Sequence, residues 1–167
     1  MRTRPSPLLP LVLAAPLAVL VVAAPISAPA QRLQRPDLPF SYTSSKPAII
    51  SQQISIALQF ERRALDLLAT TEASPESAAK IRSLVFDSYV LVRFAHQGVG
   101  WIGGKSQFPN PLVEMEDDLI EKARGVIREC ITALEEIRAG QSTDFGSAIG
   151  FLTKAITQLE TLQAVMP

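Results

Sequence analysis

The chain has 167 residues and carries 16 basic and 16 acidic side chains, with one histidine, one tryptophan and one cysteine. A neutral balance gives no electrostatic reason to bind nucleic acid or an anionic membrane surface. One cysteine excludes an intramolecular disulfide and a CxxCH haem attachment, and the lone histidine, with Arg93 three residues before it, excludes a bundle di-iron site built on Glu-x-x-His pairs.

The first thirty residues read as a signal peptide. Arg2 and Arg4 make a short basic start, Leu8–Ala24 is apolar and uncharged, and Ala28-Pro29-Ala30 supplies a small-x-small cleavage signal before Gln31. The alternative is a retained membrane anchor, but Pro10 and Pro16 interrupt the run and no basic stop-transfer cluster comes before Arg32. No cysteine lies near the cleavage point, which excludes a lipoprotein anchor. The expectation is therefore an exported protein, periplasmic or secreted. Two of the 16 Lys and Arg residues leave with residues 1–30 and none of the 16 acids does, so the processed chain holds 14 against 16.

Residues 31–45 form a polar lead punctuated by Pro36 and Pro39, expected to be extended or disordered, with Leu38, Phe40 and Tyr42 able to pack on the body of the fold. Residues 46–167 are expected to form one domain of four helices. The first runs from about Lys46 to Thr70, with Ser45 as cap, Pro47 in the first turn, and Ile50, Ile54, Ala57 or Leu58, Glu61, Leu65 and Leu68 along its interior line. Ser74-Pro75-Glu76 starts the second: a hydroxyl cap, a proline at the first position, then an acid at the positive end of the helix dipole. It is expected to end near Gln97 and to bury Ile81, Leu84 or Val85, Ser88, Leu91 or Val92, and Ala95.

Gly98–Phe108 contains four glycines and reads as the one long loop. The third helix is the clearest element. Asn110 caps it, Pro111 begins it and Gly140 stops it, while Ile120, Ala123, Ile127, Cys130, Leu134 and Ile137 step by threes and fours along one stripe. The fourth is expected from a cap at Ser142 or Thr143 to about Met166, with Phe145, Ala148, Leu152, Ala155, Leu159, Leu162 and Met166 in its seam. No stretch alternates with the period of a strand for long enough to argue a sheet. Four helices with short, long and short links imply an all-α, antiparallel up-down-up-down four-helix bundle after an N-terminal signal peptide.

Candidate sites are sparse. Val99, Trp101, Ile102 and Phe108 put apolar side chains on the glycine-rich loop, where they would either contact a partner or fold over the bundle end as a plug. The topology brings His96, Met115 and Met166 to the same end, an imidazole and two thioethers of the type that binds Cu(I) or a haem iron. Core packing explains the same residues without a metal. Glu114, Glu116, Asp117, Asp118 and Glu121 crowd the start of the third helix, where they complement its dipole and match no loop-type Ca²⁺ spacing. Glu61 places a carboxylate on a seam. The expected resolution is an ion pair with Arg82 or a rotation to the rim, the alternative a buried acid of raised pKa. Cys130 reads as an inert core thiol, and Ser88 as bonded to its own helix.

No catalytic set is visible, and no cofactor is implied. The function expected is that of a non-enzymatic exported bundle that binds another envelope or extracellular protein. Membrane contact would arise only if the signal segment is retained or the Trp101 segment inserts. A small-molecule or metal carrier using His96, Met115 and Met166 is the alternative.

Overall fold

The computed structural model describes residues 38–105 and 110–166. The signal segment, the lead up to residue 37, and Phe108 lie outside the described residues. Those described belong to one compact unit spanning residues 35–167. They form four helices and no strand: α1 Pro47–Thr70, α2 Pro75–Lys105, α3 Pro111–Arg138 and α4 Gly146–Val165. Each helix packs against two others, in the cyclic order α1, α2, α3, α4.

Local chemistry sets most of the helix ends. Ser74 and Ser77 cap α2 reciprocally: the Ser77 amide donates to Ser74 Oγ at 3.1 Å and the Ser74 amide to Ser77 Oγ at 2.9 Å. Asn110 accepts from the Leu112 amide at 3.1 Å to open α3. At the other end of α3, Gly140 takes φ +71°, the Gln141 amide donates to the Glu136 carbonyl at 2.8 Å and the Gly140 amide to Ile137 at 3.0 Å. A left-handed residue of this kind closes the last turn and is cheapest as glycine.

Two caps differ from expectation. The N-cap of α1 is Lys46, not Ser45, and makes no side-chain cap bond; Ser44 Oγ instead accepts from the Lys46 amide at 3.2 Å. For α4 neither Ser142 nor Thr143 serves, because the helix starts later. Asp144 Oδ1 accepts from the Gly146 amide at 2.7 Å, and Phe145 turns inward at the N-cap position.

The core follows the stripes. All six seam residues of α3 are buried, as are Phe145, Ala148, Leu152, Ala155, Leu159 and Leu162 of the α4 seam. Each such large side chain contributes about 1.5–3 kcal/mol through loss of water contact. Between α2 and α3, Arg82 pairs with Glu135 at 2.6 Å and His96 with Asp117 at 3.1 Å, so residue numbers rise along one helix as they fall along the other. Arg62 of α1 pairs with Glu160 of α4 at 2.7 Å.

The largest departure is at the glycines after His96. They do not form a loop, because α2 continues without interruption through Gly98, Gly100, Gly103 and Gly104 to Lys105. Close approach explains two of them. A methyl group at Gly98 would collide with the carbonyl oxygen of Ser44 and lie 3.0 Å from Ile50 Cδ1, and one at Gly103 would lie 3.2 Å from Val113 Cγ1. The lead therefore crosses α2 at Gly98. It is pinned further on by Gln53, whose amide donates to the carbonyls of Phe40 at 2.5 Å and Tyr42 at 2.8 Å.

Candidate functional site

The helical course of α2 redistributes the apolar residues expected on a loop. Val99 is fully buried and belongs to the core, not to a contact surface. Ile102, one turn on, is half-buried, and Trp101 points outward at 53 % exposure, so Trp101 does not plug the bundle. Rotation by about 100° per residue is the physical reason: a helix cannot present neighbouring side chains to the same face.

A cleft of about 250 Å³ opens at this end. Its walls come from the first turn of α1 (Pro47, Ile50), the last turn of α2 (Ile102), the start of α3 with its cap (Asn110, Leu112, Val113, Glu116) and the end of α4 (Val165, Met166). Around it the large apolar side chains stay in water: Leu112 is 59 % exposed, Met115 39 % and Val165 36 %. Among the described residues only one further large apolar side chain, Tyr42, is equally open; the other four lie on the terminal turns of α2, α3 and α4 at this end. Scattered exposed apolar residues need no explanation, whereas a concentration on one end of a bundle is the pattern that contact surfaces show.

The soft-ligand set is not assembled in this cleft. Met166 lines it, while neither Met115 nor His96 does. His96 lies between two charged residues of α3. Arg124 Nη1 is 2.8 Å from its Nδ1, and Asp117 Oδ1 is 3.1 Å from its Nε2. A guanidinium only donates, so Nδ1 accepts and Nε2 carries the hydrogen toward Asp117. Both ring nitrogens are thus engaged in holding α2 against α3. Among the described residues no three His, Cys, Asp or Glu side chains gather in a group that could hold a metal ion, and no helix is long and apolar enough to cross a membrane.

The acidic start of α3 resolves into individuals. Asp117 serves His96, Asp118 pairs with Lys122 at 2.6 Å, and Glu114 and Glu121 are solvated. Glu116 differs. It is buried at 9 % exposure, lines the cleft, and has no hydrogen bond or ion pair among the described residues. Loss of water around it raises its pKa above the ordinary carboxyl value.

No known protein family matches the chain, and neither curated proteins nor solved structures show significant similarity to it. Its function is therefore read from its residues alone.

A second polar feature lies in the middle of the core. Glu61 is fully buried and neither pairs with Arg82 nor rotates to the rim, since Arg82 is taken by Glu135 and stacks over Phe86 at 5.7 Å. In place of an ion pair, Ser88 Oγ donates to Glu61 Oε1 at 2.7 Å, so Ser88 bonds across to α1 and not within its own helix. Glu61 Oε2 has no hydrogen-bond partner among the described residues. Burial pushes the Glu61 carboxyl up to about 7, against a smaller opposing pull from the Ser88 hydroxyl. Burial, and secondarily the neighbouring Glu61, push the Cys130 thiol up to about 12, and its Sγ faces the Ala148 carbonyl at 3.6 Å. A thiol so far from its thiolate is a poor nucleophile, in keeping with a packing role.

Sequence reasoning missed the cleft and the singular position of Glu116, which looked like one acid among five. The available signal was its place in the helix. Glu116 stands beyond the first turn of α3, where the dipole no longer rewards a negative charge.

Proposed function

We propose that this protein is an exported, non-enzymatic four-helix bundle of up-down-up-down topology that binds another protein of the cell envelope or exterior through one apolar end. The observation that carries the reading is the exposure of Trp101, Leu112, Met115 and Val165 near one end of the bundle, with Leu112 and Val165 on the rim of an open cleft. Leaving these side chains in water sacrifices burial that would otherwise stabilise the fold, at about 25 cal/mol per Å². A docking partner would recover it. The meeting of the first turns of α1 and α3 with the last turns of α2 and α4 in one cleft supports the alternating topology. The basic start, apolar run and Ala28-Pro29-Ala30 signal support export, with the processed chain beginning near Gln31. A carrier function has no comparable support, because His96 is occupied by Arg124 and Asp117.

The test is site-specific photo-crosslinking in the native host. A photoreactive residue at Leu112 should yield a discrete protein adduct that the same residue at Lys154, exposed midway along α4, does not. Equal labelling from both positions, or none from Leu112, would refute the proposal.

A further inference from the structure

The cleft carries information about the chemistry of what enters it. Ile50, Ile102, Leu112, Val113, Val165 and Met166 make its lining mainly apolar, and among the described residues Glu116 is the one charged residue in it. Among the described residues the lining holds no lysine or arginine. The other acids with ordered partners spend their charge within the bundle: Asp117 on His96, Asp118 on Lys122, Glu135 on Arg82 and Glu160 on Arg62. Glu116 alone combines burial, a position facing the cleft and the absence of a partner among the described residues.

The Glu116 carboxylate keeps some contact with water through the open cleft and has no donor beside it among the described residues, so a donor supplied from outside can reach it and pair with it. The helix dipole does not compensate its charge at this depth in α3. The two halves of the cleft match the two halves of a long basic side chain. Apolar walls accommodate an aliphatic stem, and the carboxylate meets the cationic head.

We propose, resting on the protein-binding reading above, that the partner docks here by inserting a lysine or arginine side chain flanked by apolar residues, its stem against Ile102, Val113 and Met166 and its head on Glu116. Partial desolvation of Glu116 strengthens its attraction for an incoming cation, because less water screens the pair.

The test uses an array of short apolar peptides with one central position varied as lysine, arginine, norleucine or glutamate, probed with the full chain as recovered from expressing cells. The lysine and arginine peptides should bind about tenfold better than the norleucine peptide, and glutamate worst. Glu116→Gln should level lysine with norleucine, and Glu116→Lys should favour glutamate. Both variants change a position at the end of the bundle, and unaltered helical circular dichroism verifies their folding. Absence of a charge preference in the unmodified chain, including absence of any peptide binding, overturns the inference. So does a preference that survives in Glu116→Gln. The Leu112 crosslink reads the parent proposal separately: an adduct there together with charge-blind peptide binding means an apolar partner without the basic anchor.

Discussion

Glu61→Met is expected to abolish a loss of about 2–3 kcal/mol in unfolding free energy that the unmodified protein undergoes between about pH 5 and pH 8. The carboxyl titrates near 4.5 when the chain is unfolded and near 7 in the folded core. Between those values the folded state binds the proton and the unfolded state does not, so stability falls as pH rises. The contribution is whole below about pH 4.5, is lost as pH climbs through about 7, and is constant beyond. Methionine matches the shape of the side chain and removes the charge. It leaves Ser88 without its acceptor, a cost of about 1 kcal/mol that is the same at both pH values. Other groups titrate alike in the two proteins, so urea unfolding at the two pH values isolates Glu61. A fall of equal size in both proteins would show that Glu61 is solvated.

The second large effect is a reversal of sign at neighbouring glycines. Gly98→Ala should destabilise by about 1–2 kcal/mol, because the new methyl group meets the Ser44 carbonyl and Ile50, and overpacking outweighs the helical preference of alanine. Gly100→Ala should stabilise by about 0.5–1 kcal/mol, since nothing lies within 4 Å of the added methyl and the residue is inside a helix. Were residues 98–105 a loop, the same substitution at both sites would have small effects of no fixed sign. Chemical denaturation of the two variants beside the parent distinguishes these outcomes.

Those glycines also show where sequence reasoning stops. The seams of α3 and α4 were legible because steps of three and four in apolar residues admit only a helix with one buried stripe. Ser74, Asn110 and Gly140 were legible because each satisfies backbone groups within its own turn. A glycine, in contrast, signals either freedom of the backbone or the close passage of another segment. Only the position of Ser44 against Gly98 distinguishes the two. Glu61 was visible on its stripe, but its partner depends on the register between α1 and α2, which places Ser88 opposite it and commits Arg82 to α3. Asp144 as the support of α4 was hidden by two hydroxyl residues just before it that make equally good caps on paper. The cleft was the least legible feature, because it is made by four helix ends far apart in sequence and exists only where they meet.

Docking at the bundle end requires that end to be open. The most direct measurement is acrylamide quenching of the intrinsic fluorescence of the purified protein, in which Trp101 is the only indole. With Trp101 at 53 % exposure the emission should be red-shifted, as for an indole in water, and quenching should approach that of a free tryptophan derivative. A blue-shifted emission that acrylamide barely reaches would mean that the apolar end is already closed, and would contradict the docking surface proposed for it.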